Sequence, residues 1–519
     1  MAASFVLSGN LYIQRIENCN KYSGFLSGLY LFLERKESVW KNSKEIKQNR
    51  KFTIFQSMDV WIKITENETE RGWNMNLKKY DVIVAGGGTA GIAAALGAAR
   101  EGASVLVIEK NAYLGGTAAS GLPFIDFFNR DGKQVTAGIA EELMQRLFSE
   151  RAALGHIRTQ GGHLNSVTMI DPEWVKISAE EMLLESGCSI LYHTFVCAAD
   201  VEGGCLNSIT AANKNGLTKF HAGCFIDTTG DGDLAKFAGA RYSTGRESDG
   251  LCQAMSLLFK LGDVDVEKAS ALFSENPIVA CPIGGDHAYN LHISGNLSRW
   301  DDVILKENLF PHGGHNIWAG TMRENELTYV NTVRVSEKNG ADAWELSEAE
   351  IEGRRQMKKI IRFLNAHVPG MEKAHITSVP NGIGVRETRR VEGEYILTMD
   401  DVLQGRKFED CIAKNGYCID IHDPKGNGWG VTHIQSEDHC YDIPYRCIVP
   451  RRIDRLLVAG RCISATSEAL ASARIMPSCM ALGQAAGAAA AISAEKKICP
   501  REVPVREIQA ALRKGGAWI

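Results

Sequence analysis

Residues 80–117 read YDVIVAGGGTAGIAAALGAAREGASVLVIEKNAYLGGT. The apolar run Val82–Ala85 has the length and β-branching of a buried parallel strand, and it runs directly into three glycines. The Ala-rich stretch after them predicts a helix from Thr89 to about Arg100, and residues 104–108 form a second apolar run. This order predicts a strand–helix–strand unit with a glycine-rich turn before its helix.

The glycines of this turn have separate tasks. Gly86 supplies the tight turn, Gly88 lets the backbone approach a pyrophosphate, and Gly91 lets the helix pack against the strand. The free N–H groups at the start of the helix, at Thr89 and Ala90, form an anion site together with the helix dipole. The turn therefore predicts a site for the diphosphate of a dinucleotide.

Two features downstream narrow the choice of dinucleotide. Glu109, at the end of the second strand, lies close to the spacing of a carboxylate that accepts both ribose hydroxyls, and its charge disfavours the 2′-phosphate of NADP-type ligands. A second glycine pair, Gly115–Gly116, then precedes Thr117 and indicates a further phosphate contact. A domain that binds only NAD has no need of this second pair.

At this second glycine pair the chain resembles the FAD-dependent oxidoreductases whose FAD domain is like that of glutathione reductase or fumarate reductase. Residues 225–233, FIDTTGDGD, resemble the segment where the family's chain returns to the FAD sheet after a β-meander, and residues 455–487 resemble its closing FAD motif. Pro477 suits the first turn of a helix whose positive end would face the flavin. The resemblance implies FAD contacts at Gly86, Gly88, Thr89, Ala90, Gly91, Glu109, Lys110, Gly115, Gly116, Thr117, Val196, Thr229, Gly230, Asp231, Gly460, Arg461, Met476 and Gly483.

The fold that this resemblance implies is α/β: a glutathione-reductase-type FAD/NAD(P)-binding Rossmann-like domain with a β-meander, plus an inserted α+β substrate domain. We expect the FAD domain to be discontinuous, over 79–245 and 445–495. The substrate domain, over 246–444, is expected to lie between these pieces, because ligand pockets form preferentially at domain interfaces. Residues 496–519 are expected to form a C-terminal tail, and residues 1–78 a poorly structured extension.

The N-terminal segment differs from the rest of the chain. Residues 1–74 show no periodic element of useful length, and Phe25–Leu33 is too short to span a bilayer. Dinucleotide domains of this type begin within a few residues of the chain start, and Met75 lies just before the first strand. We therefore expect the natural protein to start at Met75, with the upstream segment coming from an overextended reading frame. The alternative is a short regulatory or membrane-associating extension.

Charge and cysteine content limit the classes of partner. The chain has 58 Lys and Arg against 62 Asp and Glu, which argues against nucleic acid or an anionic membrane as a main partner. Its 14 cysteines are scattered and follow no signal peptide, so we expect reduced thiols in a cytoplasmic protein without a transmembrane segment. A small-molecule substrate and an electron acceptor of unknown identity are the expected partners, and self-association into a homo-oligomer stays open.

The candidate catalytic residues lie in the expected substrate domain. Arg386, Arg389 and Arg390 can form a fork that holds a carboxylate near flavin N5, whereas ion pairs with nearby glutamates are the structural alternative. His433 is a candidate for removing a proton from the substrate. His312 and His315, which flank a glycine pair, have either a metal or acid/base role or the more ordinary one of a solvated turn.

The cysteines raise the question of an iron–sulfur cluster. Cys411 and Cys418 are seven apart, as are Cys440 and Cys447, and the heterodisulfide reductase flavin subunits to which such proteins are compared carry clusters. The closely spaced cysteines of ferredoxins and any C-x-x-C pair are missing from the sequence, so buried thiols are the expected state. A 4Fe–4S cluster remains an alternative, no other metal is expected, and disulfide-reductase chemistry is disfavoured.

The function that these observations favour is an FAD-dependent oxidoreductase. We expect it to accept a hydride from a small organic substrate at flavin N5 and to pass the electrons to an unidentified acceptor. One alternative is an electron-transfer flavoprotein subunit that works with partner proteins. Another is a protein in which the flavin is structural or regulatory and no redox turnover occurs. The sequence alone does not identify the substrate, because its specificity resides in the insertion.

Overall fold

The computed structural model describes residues 52–55, 60–63 and 79–519, except 160–161, 275–291 and 427. The chain divides into a unit over 1–78 and a unit over 79–519. In the first unit, strands β1 (Phe52–Phe55) and β2 (Val60–Lys63) form an antiparallel pair with Phe52 opposite Lys63. The rest of the expected extension over 1–78, including the expected start at Met75, lies outside the described residues.

The second unit contains both strands and helices. Its strands are β3 (Tyr80–Ala85), β4 (Val105–Ile108), β5 (Phe124–Ile125), β6 (Ile157–Arg158), β7 (Ser166–Thr168), β8 (Ser189–Leu191), β9 (Phe195–Glu202), β10 (Cys205–Asn213), β11 (Gly216–Phe220), β12 (Ala222–Asp227), β13 (Tyr242–Thr244), β14 (Phe259–Gly262), β15 (His292–Asn296), β16 (Asn316–Gly320), β17 (Glu326–Val330), β18 (His375–Ser378), β19 (Arg389–Val391), β20 (Cys411–Asn415), β21 (Ile419–His422), β22 (Trp429–Thr432), β23 (Tyr441–Pro444) and β24 (Leu456–Val458). Its helices are α1 (Thr89–Arg100), α2 (Ile139–Ser149), α3 (Pro172–Glu185), α4 (Asp233–Phe237), α5 (Val266–Ser274), α6 (Asp301–Glu307), α7 (Ala343–His367), α8 (Met399–Leu403), α9 (Ser467–Ala473), α10 (Met476–Lys496) and α11 (Val505–Lys514).

A five-stranded parallel sheet organises the nucleotide side of this unit. Its strand order is β24-β12-β3-β4-β8, and each neighbouring pair is parallel. The expected strand, glycine turn, helix and second strand are present as β3, α1 and β4, with Val84 opposite both Ile226 and Val107. The predicted α/β class with a parallel sheet is confirmed.

Two antiparallel sheets accompany it. Strands β9, β10 and β11 form a three-stranded sheet between β8 and β12 in the chain, where the sequence predicts a meander. A five-stranded sheet in the order β15-β16-β17-β14-β18 belongs to the substrate side, and the long helix α7 buries Ile360, Phe363 and Leu364 in the same core. Asp342 caps α7 by accepting hydrogen bonds from the backbone N–H groups of Trp344 and Glu345.

Helices α1 and α10 approach each other so closely that glycine is required where they meet. A Cβ on Gly483 would lie 2.1 Å from the carbonyl oxygen of Ala90, and one on Gly487 would lie 2.1 Å from that of Ala94. Alanine occupies six of the 12 positions of α1 and eight of the 21 positions of α10, and most of these side chains are buried. The alanine and glycine content of both segments is thus explained by close backbone packing.

Hydrophobic packing does not follow the expected boundaries throughout. The core on the substrate side runs from Met255 to Ile383 in sequence, whereas Leu397, Ile412 and Ile443 pack with the nucleotide core around β3 and α1. These three residues lie within the expected substrate domain over 246–444, and Tyr417 and Cys418 of the same stretch belong to a third, smaller cluster. The expected tail over 496–519 contains helix α11, which buries Ile508 and Leu512 in the nucleotide core.

Within the part of the chain that the structure describes, no single helix is both long and apolar enough to cross a bilayer. Helices α9 and α10 meet the length and composition criteria only together, as a pair bent by 93°.

Candidate functional site

A cavity of about 590 Å³ opens at the carboxyl ends of the central parallel strands. Gly86, Glu109, Thr228 and Ala459 line it, and each follows directly after one of these strands. Its opposite wall comes from the substrate side and includes Trp318, which lies on β16. Ligands of open α/β sheets bind at this edge, so the cavity lies where the fold predicts a cofactor and a substrate to meet.

The glycine turn leaves room for a ligand at one position and excludes side chains at two others. A Cβ on Gly86, where φ is +105°, would lie 2.5 Å from the carbonyl oxygen of Thr228, and a Cβ on Gly91 would lie 1.9 Å from that of Gly86. The nearest atom to a Cβ on Gly88 would be 4.0 Å away, so Gly88 faces open space. No side chain in the described residues caps α1, which leaves its first N–H groups available to phosphate oxygens.

Hydrogen bonds fix the carboxylate of Glu109 at the cavity wall. Its Oε2 accepts from the backbone N–H of Gly87 at 2.7 Å, and its Oε1 accepts from the backbone and side-chain nitrogens of Asn111 at 2.8 and 2.7 Å. The residue is 6% exposed. A carboxylate oxygen with a single donor retains acceptor capacity, so Oε2 can accept a ribose hydroxyl.

The second glycine pair has two different environments. Gly116 lines the cavity, whereas Gly115 packs behind it, where a Cβ would lie 3.2 Å from both Ala119 and Val175. Gly115 also has φ at +108° and donates its N–H to the carbonyl oxygen of Gly87 at 2.9 Å. Gly115 thus joins the two glycine turns, and Gly116 is the member that faces the ligand space.

The segment after β12 is held by a buried carboxyl group. Asp227 accepts from the N–H and Oγ1 of Thr229 at 3.0 and 2.7 Å and from the N–H of Ala235 at 2.8 Å. Burial raises the pKa of Asp227 to about 6. Asp231 in the same turn pairs with Arg461 at 3.1 Å, and Nη1 of Arg461 is buried without a hydrogen-bond partner among the described residues. An unsatisfied donor at this position fits a missing acceptor such as a cofactor oxygen.

The start of α10 forms another part of the wall. Met476 and Cys479 line the cavity, Pro477 occupies the first turn, and the N-cap residue Ile475 offers no side-chain acceptor. The positive end of this long helix therefore faces the cavity and favours negative charge there. Gly460, with φ at +91°, lets the chain turn after β24 beside it.

The structure brings most of the sequence-predicted cofactor residues to this one cavity. Those in its wall are Gly86, Gly88, Thr89, Ala90, Glu109, Lys110, Gly116, Thr117, Val196, Thr229, Gly230, Asp231, Gly460, Arg461 and Met476. The other three, Gly91, Gly115 and Gly483, lie behind the wall and allow the close backbone packing described above. An open phosphate turn, a fixed carboxylate, an unsatisfied guanidinium N–H and a positive helix end together fit FAD.

Three arginines gather in the other half of the cavity. Arg386 donates from Nη1 to the carbonyl oxygen of Ala254 at 2.6 Å and to Ser256 Oγ at 2.8 Å. Arg334 also donates from Nη1 to Ser256 Oγ, at 2.8 Å. Arg474 donates from Nη2 to the carbonyl oxygen of Asp420 at 3.1 Å, and its Nε is buried without a partner among the described residues.

The arginines influence one another and the groups beside them. Burial lowers the pKa of Arg386, and the positive charges of Arg334 and Arg474 lower it further. Burial alone would raise the pKa of Asp420, but the hydrogen bond with His422 and the positive charge of Arg474 outweigh burial and lower it. Burial, followed by repulsion from Arg386, lowers the pKa of His422 to about 3, so His422 is neutral near pH 7. The cluster therefore holds three guanidinium groups beside a single ionised carboxylate, Asp420.

Two of the predicted catalytic residues lie outside this cluster. Arg389 is buried in an ion pair with Asp233 at 2.7 Å and does not line the cavity. Its neighbour Arg390 forms a buried ion pair with Glu387. His433 is half-buried and also does not line the cavity, and its pKa is lowered by burial and by Arg130. Among the residues of the predicted arginine fork, Arg386 alone contributes to the cavity wall.

The histidines and cysteines named as possible metal or acid/base residues have ordinary surroundings. His315 pairs with Asp301 at 2.7 Å, and His312 borders a side cavity of about 20 Å³ behind Arg334 and His422. Cysteines described by the structure are free thiols. No group of three or more His, Cys, Asp or Glu with metal-binding geometry occurs among the described residues.

Sequence reasoning missed the residues that accompany Arg386. Tyr417, Asp420 and His422 lie close together in the sequence, but Arg334 comes from a different segment of the expected substrate domain, and no spacing relates it to them. Arg474 had a usable signal, because it lies within residues 455–487, which resemble the closing FAD motif, and leads into α10.

Comparisons with known proteins agree with this site. Residues 81–512 match the family described as FAD dependent oxidoreductase. Over 81 residues the chain is 38% identical to 3-oxosteroid 1-dehydrogenase from Mycolicibacterium smegmatis, a match that covers 15% of this chain and 14% of that protein.

Several solved structures follow a course of the chain similar to that of this protein. A geranylgeranyl bacteriochlorophyll reductase-like protein from Thermoplasma acidophilum has a TM-score of 0.41 and 14% identity, with 85% of this chain and 83% of that chain covered. The anhydrotetracycline hydroxylase from Streptomyces rimosus has a TM-score of 0.42 and 11% identity, with 84% and 66% covered. The family match spans most of the chain and includes the residues of both halves of the cavity, from Gly86 to Cys479. The chain belongs to the FAD-dependent oxidoreductase family and is an oxidoreductase enzyme with FAD as its cofactor.

Proposed function

We propose that this enzyme oxidises a small organic anion bound beside the flavin and passes the electrons to a separate acceptor. FAD, when bound, would supply the two-electron redox chemistry for oxidation of the substrate. The cavity's two halves, one lined by the glycine turns and one by the arginines, support a cofactor and a substrate in direct contact.

The unused edges of two guanidinium groups carry this proposal. The side chains of Arg334 and Arg386 each make their hydrogen bonds to the described residues through Nη1 alone. Each therefore keeps the N–H groups of Nε and Nη2 for a ligand. A guanidinium edge of this kind matches the two oxygens of a carboxylate, and both residues line the cavity.

Charge supports the same class of substrate. Asp420 is shared by His422 and Arg474, at 3.4 and 3.7 Å, and does not reach an ion-pair distance to Arg334 or Arg386. Glu350, the other acidic residue on this wall, pairs with Arg354 and accepts from the N–H of Ile383. Because Asp420 alone cannot balance three cations, an anionic ligand would relieve their repulsion.

We also propose that the FAD domain is of the glutathione-reductase type. The sheet order β24-β12-β3-β4-β8 and the three-stranded sheet of β9, β10 and β11 between β8 and β12 support it. Val196 on β9 lines the cavity close in sequence to Thr194, which fits backbone contacts to the adenine end of the cofactor.

The test uses the purified holoenzyme under anaerobic conditions. Organic acids, alcohols, amines and thiols are screened for bleaching of the flavin absorbance, and we expect bleaching from acids. Binding of non-reacting acids is measured by perturbation of the flavin spectrum. Arg386→Gln should weaken carboxylate binding about 10- to 100-fold while the FAD content stays unchanged.

Arg451→Gln is the matched control, because Arg451 lies at the surface in a pair with Glu392. This variant should bind carboxylates like the unchanged enzyme. Bleaching by neutral alcohols or amines but by no acid, or equal carboxylate affinity in both variants, would overturn the assignment of an anionic substrate.

A further inference from the structure

Three aromatic rings form a corner of the cavity next to the arginines. This aromatic corner consists of His163, Trp318 and Trp429, all of which line the cavity. The ring centroid of His163 lies 5.1 Å from that of Trp429 and 5.4 Å from that of Trp318, and the two tryptophans are 6.1 Å apart. The ring planes are inclined by 57° to 83°, so no two rings of the corner stack face to face.

A single hairpin joins the aromatic corner to the charged cluster. Strands β21 and β22 pair with His422 opposite Trp429 and Asp420 opposite Val431. Side chains two apart on a strand share a face, so Asp420, His422 and Trp429 lie on the same face of the hairpin. That face turns toward the cavity, because all three residues line it.

Tyr417 makes a second connection between the two regions. Its ring centroid lies 6.4 Å from that of His163, and its hydroxyl donates to Asp420 Oδ2 at 2.9 Å. Tyr329 and Leu164 complete an apolar wall around these rings and pack with Tyr417 in one small cluster. The anion-binding edges and the aromatic surface thus belong to one continuous pocket.

We propose that the organic anion is an aryl carboxylate, with its carboxylate on Arg334 and Arg386 and its ring in the aromatic corner. This inference rests on the proposed function, since it extends the substrate of the same site. Aromatic rings bind best to other rings in tilted or edge-to-face arrangements, which the corner offers from three directions. A cation in the corner is disfavoured by the neighbouring arginines, although tryptophan faces attract cations elsewhere.

Calorimetry measures the binding of three probes to the anaerobic holoenzyme, and all three probes have a chain of the same length. The probes are 3-phenylpropionate, 3-cyclohexylpropionate and the neutral 3-phenylpropionamide. The phenyl acid should bind about 2- to 10-fold more tightly than the cyclohexyl acid and about 10- to 100-fold more tightly than the amide. Trp429→Leu should abolish the preference for phenyl over cyclohexyl while leaving the preference for acid over amide.

Trp344→Leu serves as the matched control, because Trp344 is 82% exposed and lies outside the cavity wall. It should keep both preferences, and an unchanged flavin spectrum shows that each variant is folded. Equal affinity for the phenyl and cyclohexyl acids in the unchanged enzyme overturns the aryl assignment and leaves the anionic one intact. Equal affinity for the phenyl acid and its amide overturns the anionic assignment itself. A preference for phenyl that survives in Trp429→Leu contradicts the role of the corner.

Discussion

Arg386 and Arg389 are three residues apart and have different neighbours. Arg389 is close to Asp233, the first residue of α4, and this pair buries its charge away from the cavity. Arg386 meets a backbone carbonyl and a serine hydroxyl, which leave its charge unbalanced. The sequence indicated an arginine fork but not which arginine would be neutralised, because Asp233 lies more than 150 residues away.

Glu109 gives the first prediction at this scale. Glu109→Gln replaces a charged acceptor of the Gly87 N–H and of a ribose hydroxyl by a neutral one. We expect FAD affinity to fall about 10-fold or more, since hydrogen bonds to charged groups contribute about 1.5–3 kcal/mol each. Reconstitution of the apoprotein with FAD measures this affinity. Glu142→Gln, at an exposed pair with Arg100, is the control, and equal affinities in the two variants would contradict the role of Glu109.

Asp227 predicts a pH dependence of stability. Its pKa is raised to about 6 in the folded chain, whereas its ordinary value is 3.8. Between these values the folded state binds more protons than the unfolded state, so the contribution of Asp227 to the unfolding free energy decreases as pH rises from about 4 to about 6. Asp227→Asn should remove this decrease.

The measurement is the difference in unfolding free energy between the unchanged protein and Asp227→Asn, obtained by denaturant titration across this pH range. As pH rises, the unfolding free energy of the unchanged protein should fall relative to that of Asp227→Asn. A difference that does not vary with pH, or that varies in the opposite direction, would show that burial does not raise the pKa of the Asp227 carboxyl.

At the scale of elements, the short segment β3-α1-β4 was predictable because its information is local. Strand length, glycine spacing and helix composition all lie within 80–117, and each reflects a backbone constraint. The boundary of the substrate side was harder to predict, since Leu397, Ile412 and Ile443 lie in a stretch with substrate-domain composition but pack in the nucleotide core. Helix α11 was missed although Val505, Ile508 and Leu512 recur at helical spacing and pack against the nucleotide core.

The crossing of α1 and α10 gives a prediction for an element. Gly483→Ala would normally stabilise a helix by about 1 kcal/mol, but here the added methyl group meets the backbone of Ala90. We expect a net loss of about 1–3 kcal/mol in unfolding free energy together with weaker FAD binding. Thermal unfolding and FAD titration measure both. Glu495→Ala, at an exposed position of the same helix, should change neither, and a stabilised Gly483→Ala protein would contradict the close packing.

At the scale of the whole molecule, every residue of the cavity belongs to the unit over 79–519. The sequence predicted the cofactor half of this cavity, because nucleotide turns have short-range patterns. The substrate half is assembled from residues between His163 and Arg474 whose neighbourhood arises only on folding. This difference explains why the cofactor was identifiable from the sequence and the substrate class was not.

A truncated chain that begins at Met75 tests the independence of this unit. It should fold, bind FAD in equal stoichiometry and retain its carboxylate affinity, because the described cavity uses no residue before Gly86. Flavin absorbance, thermal unfolding and carboxylate titration compare the truncated and full-length chains. Loss of FAD binding on truncation would show that the N-terminal segment contributes to the site.

The contact of Gly483 with Ala90 has a consequence for the identity of the cofactor. The beginning of α1 would hold the diphosphate and the beginning of α10 would lie beside the flavin ring, so the crossing fixes the distance between these two parts of one molecule. A mononucleotide such as FMN contains both a flavin and a phosphate and would fill that distance, but it would leave Glu109 and Val196 without the adenosine half. The crossing therefore sets the position of the flavin relative to its phosphate, and selectivity for FAD over FMN belongs to the part of the cavity around Glu109.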